Sequence, residues 1–321
     1  MNDLLKLLLS ILGAFGFAAA MWPMLLRGPK SPRILVKAGC TILVMLFPLI
    51  IPADRIGLRA LALLVCIELW FKMVDYSRQK KRPDSFSRYL RFLIPFPSLL
   101  VVLSERDRRL PSMRSRWPDV FSVIFGGACF GSGFLLLKAA ASVAAVQTSF
   151  VLDHCLKVAI FVFTIEGLSR LIRGIERLAG YDVAPLMDRH FLAQSVGEFW
   201  CRYNTRVHMW SYLNVFQPAG GLRSPVKGLF WVFFVSALFH ELGFGIATSR
   251  FDGYQFTFFM LQWPAILLSR RLYRWANRVG TFGKVMTHGS TVLWMTVSSV
   301  FFFHGVNRVF PFFYVSDPLL P

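Results

Sequence analysis

The sequence is poor in charge, and poorest in acid. Charged residues make up 17% of its 321 positions, with 17 Asp or Glu against 36 Lys or Arg. A soluble domain carries about 25% charged residues. Cysteine is scarce as well. Cys40, Cys66, Cys129, Cys155 and Cys201 are odd in number and fall in no CxxC or other metal-ligand spacing. Four of them lie in or beside apolar stretches, which argues against a disulfide framework and for small apolar fillers. The HxxxH and HxxHH clusters of membrane di-iron enzymes are missing, so no metal site is expected. Internal repeats, low-complexity tracts and a separable soluble part are also lacking. The expected organisation is a single domain over residues 1–321.

What is present is apolar. Hydrophobic residues reach 55%, with 33 Phe and 9 Trp, and the mean hydropathy is +0.53. Intrinsic disorder requires the opposite composition. The net charge of +19 does not imply a nucleic-acid partner here. In a membrane protein a basic excess collects in cytoplasmic loops.

A spanning helix needs about 20 mostly apolar residues. Eight segments qualify: Leu4–Leu26, Ile34–Ile51, Gly57–Val74, Val120–Leu137, Phe150–Leu168, Leu229–Ile246, Tyr254–Leu268 and Val285–Phe310. The first is too long for the apolar stretch of a signal peptide and reads as a retained span. Phe92–Leu103 is too short to cross, carries Pro95 and Pro97, and is flanked by basic residues on both sides. It reads as a re-entrant segment. The expectation is an all-α integral membrane protein with about eight spans, one re-entrant segment and one interfacial amphipathic helix. Both termini then lie outside, because the Lys and Arg clusters after spans one, five and seven face the cytoplasm.

The interfacial helix is expected between spans five and six. Phe191, Leu192, Val196, Phe199, Trp200, Tyr203, Val207 and Trp210 recur at helical spacing. Glu198, Arg202 and Arg206 are spaced i, i+4, i+8, and so are Trp200, Asn204 and His208 on the opposite face. In the interface plane the arginines turn to water and the second set turns inward. An ordinary amphipathic connector needs neither Asn nor His on its buried side, since each costs desolvation unless paired.

His240 is the sharpest feature. It lies twelve residues beyond Gly228 in an apolar run, about 18 Å into the span at 1.5 Å per residue. Glu241 is beside it and Ser236 is one turn before it. An ionisable residue at that depth is a functional-site hypothesis by default. The alternative is a structural His bonded to a neighbouring helix. His154, His190, His288 and His304 read as weaker candidates.

Two stretches carry a resemblance. The first is Phe199-Trp200-Cys201-Arg202-Tyr203-Asn204-Thr205-Arg206-Val207-His208-Met209-Trp210. The second is Val232-Phe233-Phe234-Val235-Ser236-Ala237-Leu238-Phe239-His240-Glu241. Together they resemble the membrane-bound O-acyltransferase superfamily, in particular its wax synthase, sterol and diacylglycerol acyltransferase branches. The resemblance covers about Ser195 to Trp263, within a motif-bearing core of about residues 190–268. Pro218-Ala219-Gly220-Gly221 is similar to the glycan O-acetyltransferase branch. The chain departs from the diacylglycerol enzymes in having Tyr203 for Trp.

The resemblance implies that His240 is catalytic, with Asn204 as its partner on the preceding segment. It places Trp200, Tyr203, His208, Trp210, Ser236 and Glu241 as lining the substrate site; in the expected topology Arg206, Arg223 and Lys227 stand at its cytoplasmic mouth and suit the phosphates of acyl-CoA. Independent chemistry agrees. A neutral buried His suits removal of a hydroxyl proton, and an amide suits oxyanion donation. The implied partners are acyl-CoA as co-substrate and a hydroxylated lipid or small acceptor, within membrane lipids. No bound cofactor is expected. The implied location is a bacterial inner membrane or a eukaryotic endoplasmic reticulum membrane. Two alternatives stand beside this reading: an O-acetyltransferase acting on a glycan or small exported acceptor, and a transporter that uses the buried His and Asn.

Overall fold

The computed structural model describes residues 2–26, 37, 39–78, 85–94, 110 and 115–315. Among them the chain is all-helical. Helix α1 (Asp3–Ala20) is followed by α2 (Trp22–Leu26), a 3₁₀ stretch (Ile42–Ile50), α3 (Ile56–Arg78) and α4 (Phe86–Leu93). A hairpin of α5 (Trp117–Ala141) and α7 (Phe150–Leu178) flanks the short α6 (Ala144–Thr148). The linking segment contributes α8 (Val196–Arg202) and α9 (Thr205–Ser211). Three long helices close the chain: α10 (Pro225–Thr248), α11 (Tyr254–Val279) and α12 (Thr281–Val309).

Helices α1, α5, α10 and α12 are long and apolar enough to cross a membrane. They coincide with four of the eight expected spans. Helices α3, α7 and α11 coincide with three more, but α3 and α7 bury charge. Lys72 pairs with Glu68 at 2.8 Å and Lys157 with Asp153 at 2.7 Å, all four side chains being at most 5% exposed. The expected span Ile34–Ile51 is not a continuous α-helix. Its described part ends in the nine-residue 3₁₀ stretch, with Pro48 inside. At about 2.0 Å per residue such a stretch is too short for a ~30 Å core. Of the expected re-entrant segment, Phe92 and Leu93 end α4; residues 95–103 lie outside the described residues, as do most of the basic positions around them.

Glycine decides how the α5–α7 hairpin packs. A Cβ at Gly126 would stand 2.7 Å from the Gly167 carbonyl, and one at Gly174 would stand 2.8 Å from Val123 Cγ2. Only the missing side chains let the two backbones approach so closely, as in helix pairs within lipid.

Two buried cations hold the parts that surround α10. Arg59 of α3 donates to the carbonyls of Ile51 at 2.7 Å and Ile246 at 3.3 Å, and to Ser249 Oγ at 2.6 Å. It thereby caps the carbonyl end of α10, where a cation also opposes the helix dipole. Lys72 donates to the carbonyls of Leu93 and Ile94 at 3.4 and 3.0 Å and fixes the end of α4.

Candidate functional site

The linking segment is two helices rather than the one continuous helix expected. The chain turns at Asn204, which adopts the left-handed conformation at φ 46°. Asn204 Oδ1 accepts the Val207 N–H at 3.2 Å and so caps α9. Asn tolerates this conformation because its short side chain bonds locally. The break removes the simple two-face pattern. Arg202 stays outside and pairs with Glu198 at 2.6 Å. Arg206 does not face water as the periodicity suggests. It is fully buried, and its guanidinium meets both carboxylate oxygens of Glu176 on α7, at 2.6 and 2.5 Å. Its Nε donates to the Ala184 carbonyl at 2.9 Å. This fork-on-fork pair pins α9 to α7 and leaves Arg206 away from any aqueous mouth.

His240 occupies the middle of α10. Its Nδ1 lies 2.8 Å from the Ser236 carbonyl. A carbonyl only accepts, so Nδ1 carries the proton and the neutral ring presents Nε2 as an acceptor. Nε2 has no hydrogen-bond partner among the described residues. Ser236 thus orients His240 through its backbone and not through its hydroxyl. The imidazole stacks on Phe259 of α11 with centroids 3.9 Å apart, and Phe302 of α12 stands at 6.3 Å.

Glu241 serves the neighbouring helix. Its two oxygens accept the backbone N–H groups of Gly253 at 2.8 Å and Phe256 at 3.1 Å. These are first-turn donors that a helix otherwise leaves unsatisfied. The contact sets the height of α11 against α10, and with it the position of Phe259 over His240.

Trp200 joins the same enclosure from α8. Its indole packs on Phe233, Phe259 and Phe258 at 5.5, 5.7 and 6.1 Å. Tyr203 stacks on Phe199 and meets Trp200 edge-on at 5.6 Å. Burial pushes its phenol up to about 12, so it remains a neutral donor at physiological pH. Trp210 lies in a different cluster. Its Nε1 donates to the Phe71 carbonyl at 3.0 Å, and its ring meets Phe71 at 4.3 Å and Trp70 at 5.6 Å. His208 is exposed on α9. Arg223 and Lys227 are exposed at the N-terminal end of α10. Lys227 lines a recess of about 510 Å³ with Ser224, Pro225, Val226, Phe230 and Trp263.

Trp200 and His240 thus both pack on Phe259, Ser236 holds His240, and Tyr203 packs on Trp200. The structure does not join Trp210, His208 or Arg206 to that group. Sequence reasoning missed Phe259 and Phe302, which enclose His240, because nothing separates them from the many other Phe. It also missed Gln255 and Gln262, whose amides reach α12 at the Phe301 and Phe302 carbonyls and at Ser298 Oγ. Two amides seven residues apart in an apolar helix were the available signal.

No protein-family model matches the chain. It is similar to diacylglycerol O-acyltransferase 1 of Arabidopsis thaliana, 33% identical over 92 residues, which covers 27% of this chain and 17% of that protein. It is also similar to a probable sterol O-acyltransferase 2 of Schizosaccharomyces pombe, 26% identical over 140 residues, covering 44% of this chain and 28% of that protein. The chain thus spans less than a third of the length of either relative. Both relatives are named as O-acyltransferases, and this part-length similarity supports the same class here.

Proposed function

We propose that the chain is a multi-pass membrane O-acyltransferase of wax-synthase-like type, moving an acyl group from acyl-CoA to the hydroxyl of a lipidic alcohol. One observation carries the reading: a histidine in the middle of an apolar helix, with Nδ1 committed to a carbonyl and Nε2 without a partner. An ionisable side chain at that depth with one nitrogen left open is a functional-site hypothesis by default.

The chemistry follows from the tautomer. Nε2 removes the alcohol proton as the alcohol oxygen attacks the thioester carbon, a service worth about 10²–10⁴-fold in rate. The Ser236 carbonyl holds the ring in place. Asn204 supplies an amide donor to the oxyanion. Collapse breaks the C–S bond, and the leaving thiolate takes the proton from Nε2. The enclosure of Phe233, Phe258, Phe259 and Phe302 excludes hydrolytic water. Arg223 and Lys227, both exposed beside the recess at the start of α10, suit the phosphates of the carrier. An arrangement in which α3, α7 and α11 cross beside the four apolar helices belongs to the same proposal, as does a bacterial inner membrane or endoplasmic reticulum location.

The test is release of free CoA thiol by the purified chain with a panel of long-chain alcohols, sterols and glycans. Acyl transfer to a lipidic alcohol, lost in His240→Ala, is the expected result. Transfer to glycans alone would replace the acceptor class. Undiminished transfer by His240→Ala would remove His240 from the mechanism.

A further inference from the structure

We infer that Trp200 is a second oxyanion donor, its indole N–H hydrogen-bonding the thioester oxygen as negative charge forms there. The inference rests on the transferase reading and extends it to a residue whose ring alone has so far been given a role.

Trp200 Nε1 is buried and has no partner among the described residues. Most buried side-chain donors are bonded, and an exception calls for an explanation. The nearest neighbours of the indole offer it none. Its ring contacts are Phe199, Tyr203, Phe233, Phe258 and Phe259, and the Tyr203 hydroxyl, the one acceptor among these side chains, is not bonded to it. An indole is a donor only, so the group that satisfies Nε1 must be an acceptor.

Position names the acceptor. Phe259 contacts Trp200 at 5.7 Å between centroids and stacks on His240 at 3.9 Å. Phe258 and Phe302 are also in contact, and Phe302 faces His240 as well. The unpartnered donor and the unpartnered base therefore lie in one aromatic enclosure. Trp70 sharpens the assignment. Its Nε1 is also buried without a partner, but its ring contacts are Phe71, Trp210 and Phe239. It shares none of the rings that enclose His240.

The step is electronically simple. As the alcohol oxygen bonds to the carbonyl carbon, the C=O pair moves to oxygen and the Trp200 N–H donates to it. No proton crosses from the indole. When the pair returns, the C–S bond breaks and the thiolate takes the proton held by His240. A donor prealigned in a dry enclosure stabilises the charge without reorganisation. The loss of one such donor costs about 10²–10³-fold in kcat.

The test uses the full chain in lipid nanodiscs. Trp200→Phe keeps an aromatic ring and deletes the N–H. The expected result is a fall in kcat of about 10²-fold, with KM for acyl-CoA little changed and the unfolding temperature unchanged or raised, because the deleted donor had no partner to lose. Replacing Trp200 by benzothienylalanine, which puts sulfur where the N–H was, should reproduce the fall. Trp70→Phe should leave kcat unchanged. A Trp200→Phe enzyme that keeps its kcat overturns the proposal, and so does a fall in kcat matched by a loss of unfolding temperature. A readout without turnover separates this idea from the transferase reading. On titration with a ketone analogue of acyl-CoA (methylene for sulfur), the Trp200 indole N–H resonance should move downfield. No movement on saturation overturns the donor role even in an active enzyme. A wild-type chain that releases no CoA overturns the transferase reading instead.

Discussion

Two histidines on long helices, His154 buried and His240 half-buried, are treated differently. Around His154, on α7, both ring nitrogens have partners. Nδ1 accepts from Tyr314 Oη at 2.5 Å and Nε2 donates to the Thr296 carbonyl at 2.7 Å. Asp153 beside it pairs with Lys157 and accepts the Val315 N–H at 3.0 Å. This network straps residues 313–315 to α7. Around His240 one nitrogen is held and the other is left open, with an unpartnered indole N–H in the same enclosure. Hydrogen-bond satisfaction, more than depth or residue type, separates the structural site from the candidate catalytic one.

The comparison breaks most visibly at the two histidines. His240→Ala should lower kcat by 10²–10⁴-fold, about the value of a positioned general base, with little change in thermal unfolding. His154→Ala should do the reverse, lowering the unfolding temperature while the surviving folded protein keeps its kcat. Equal effects of both changes on stability would erase the distinction.

Stability is tested next. Asp153→Ala leaves Lys157 buried and uncompensated, a change worth about 3–5 kcal/mol, and Arg206→Ala does the same to Glu176. Denaturant unfolding should register both losses. If Arg206→Ala raised KM for acyl-CoA without any loss of stability, Arg206 would belong to the carrier site after all.

Asn204 is expected to show both kinds of effect. Asn204→Ala removes a cap worth about 0.5–2 kcal/mol and, as an oxyanion donor, about 10²-fold in kcat. Asn204→Gly restores the left-handed backbone but not the amide, so it should recover stability and not rate. Recovery of both would leave Asn204 a cap alone.

The smallest effect belongs to the exposed end of α10. Arg223→Ala with Lys227→Ala should raise KM for acyl-CoA a few-fold at low salt and less at high salt, since exposed charge is screened over about 8 Å at physiological ionic strength. KM for the alcohol should stay constant. A salt-independent change, or equal changes for both substrates, would remove these residues from carrier binding.

Much of the site was legible because it lies on continuous helix. The apolar run of α10 and the single histidine within it are local facts, and so is the one-turn spacing of Ser236 and His240. The linking segment was legible only in part. Its periodicity predicted a helix and a buried face, but Asn204 looked like one more residue on that face. The chain turns there because Asn accepts both a left-handed backbone and a cap bond. Arg206 was misread for a related reason. Charge at helical spacing ordinarily turns to water, and the partner that reverses this, Glu176, stands 30 residues earlier on another helix.

The sequence by itself determined the all-helical character, the apolar segments and the candidate His240 within one of them, because these depend on composition and on spacing within a few turns. Only the tertiary structure decided which polar groups are satisfied. His154 finds Tyr314 across 160 residues, and Trp210 finds the Phe71 carbonyl across 139. His240 Nε2 and Trp200 Nε1 find nothing among the described residues. A hydrogen bond requires atoms within about 3 Å at a narrow angle. Periodicity fixes the face of one helix, and no local pattern brings two distant helices to that distance.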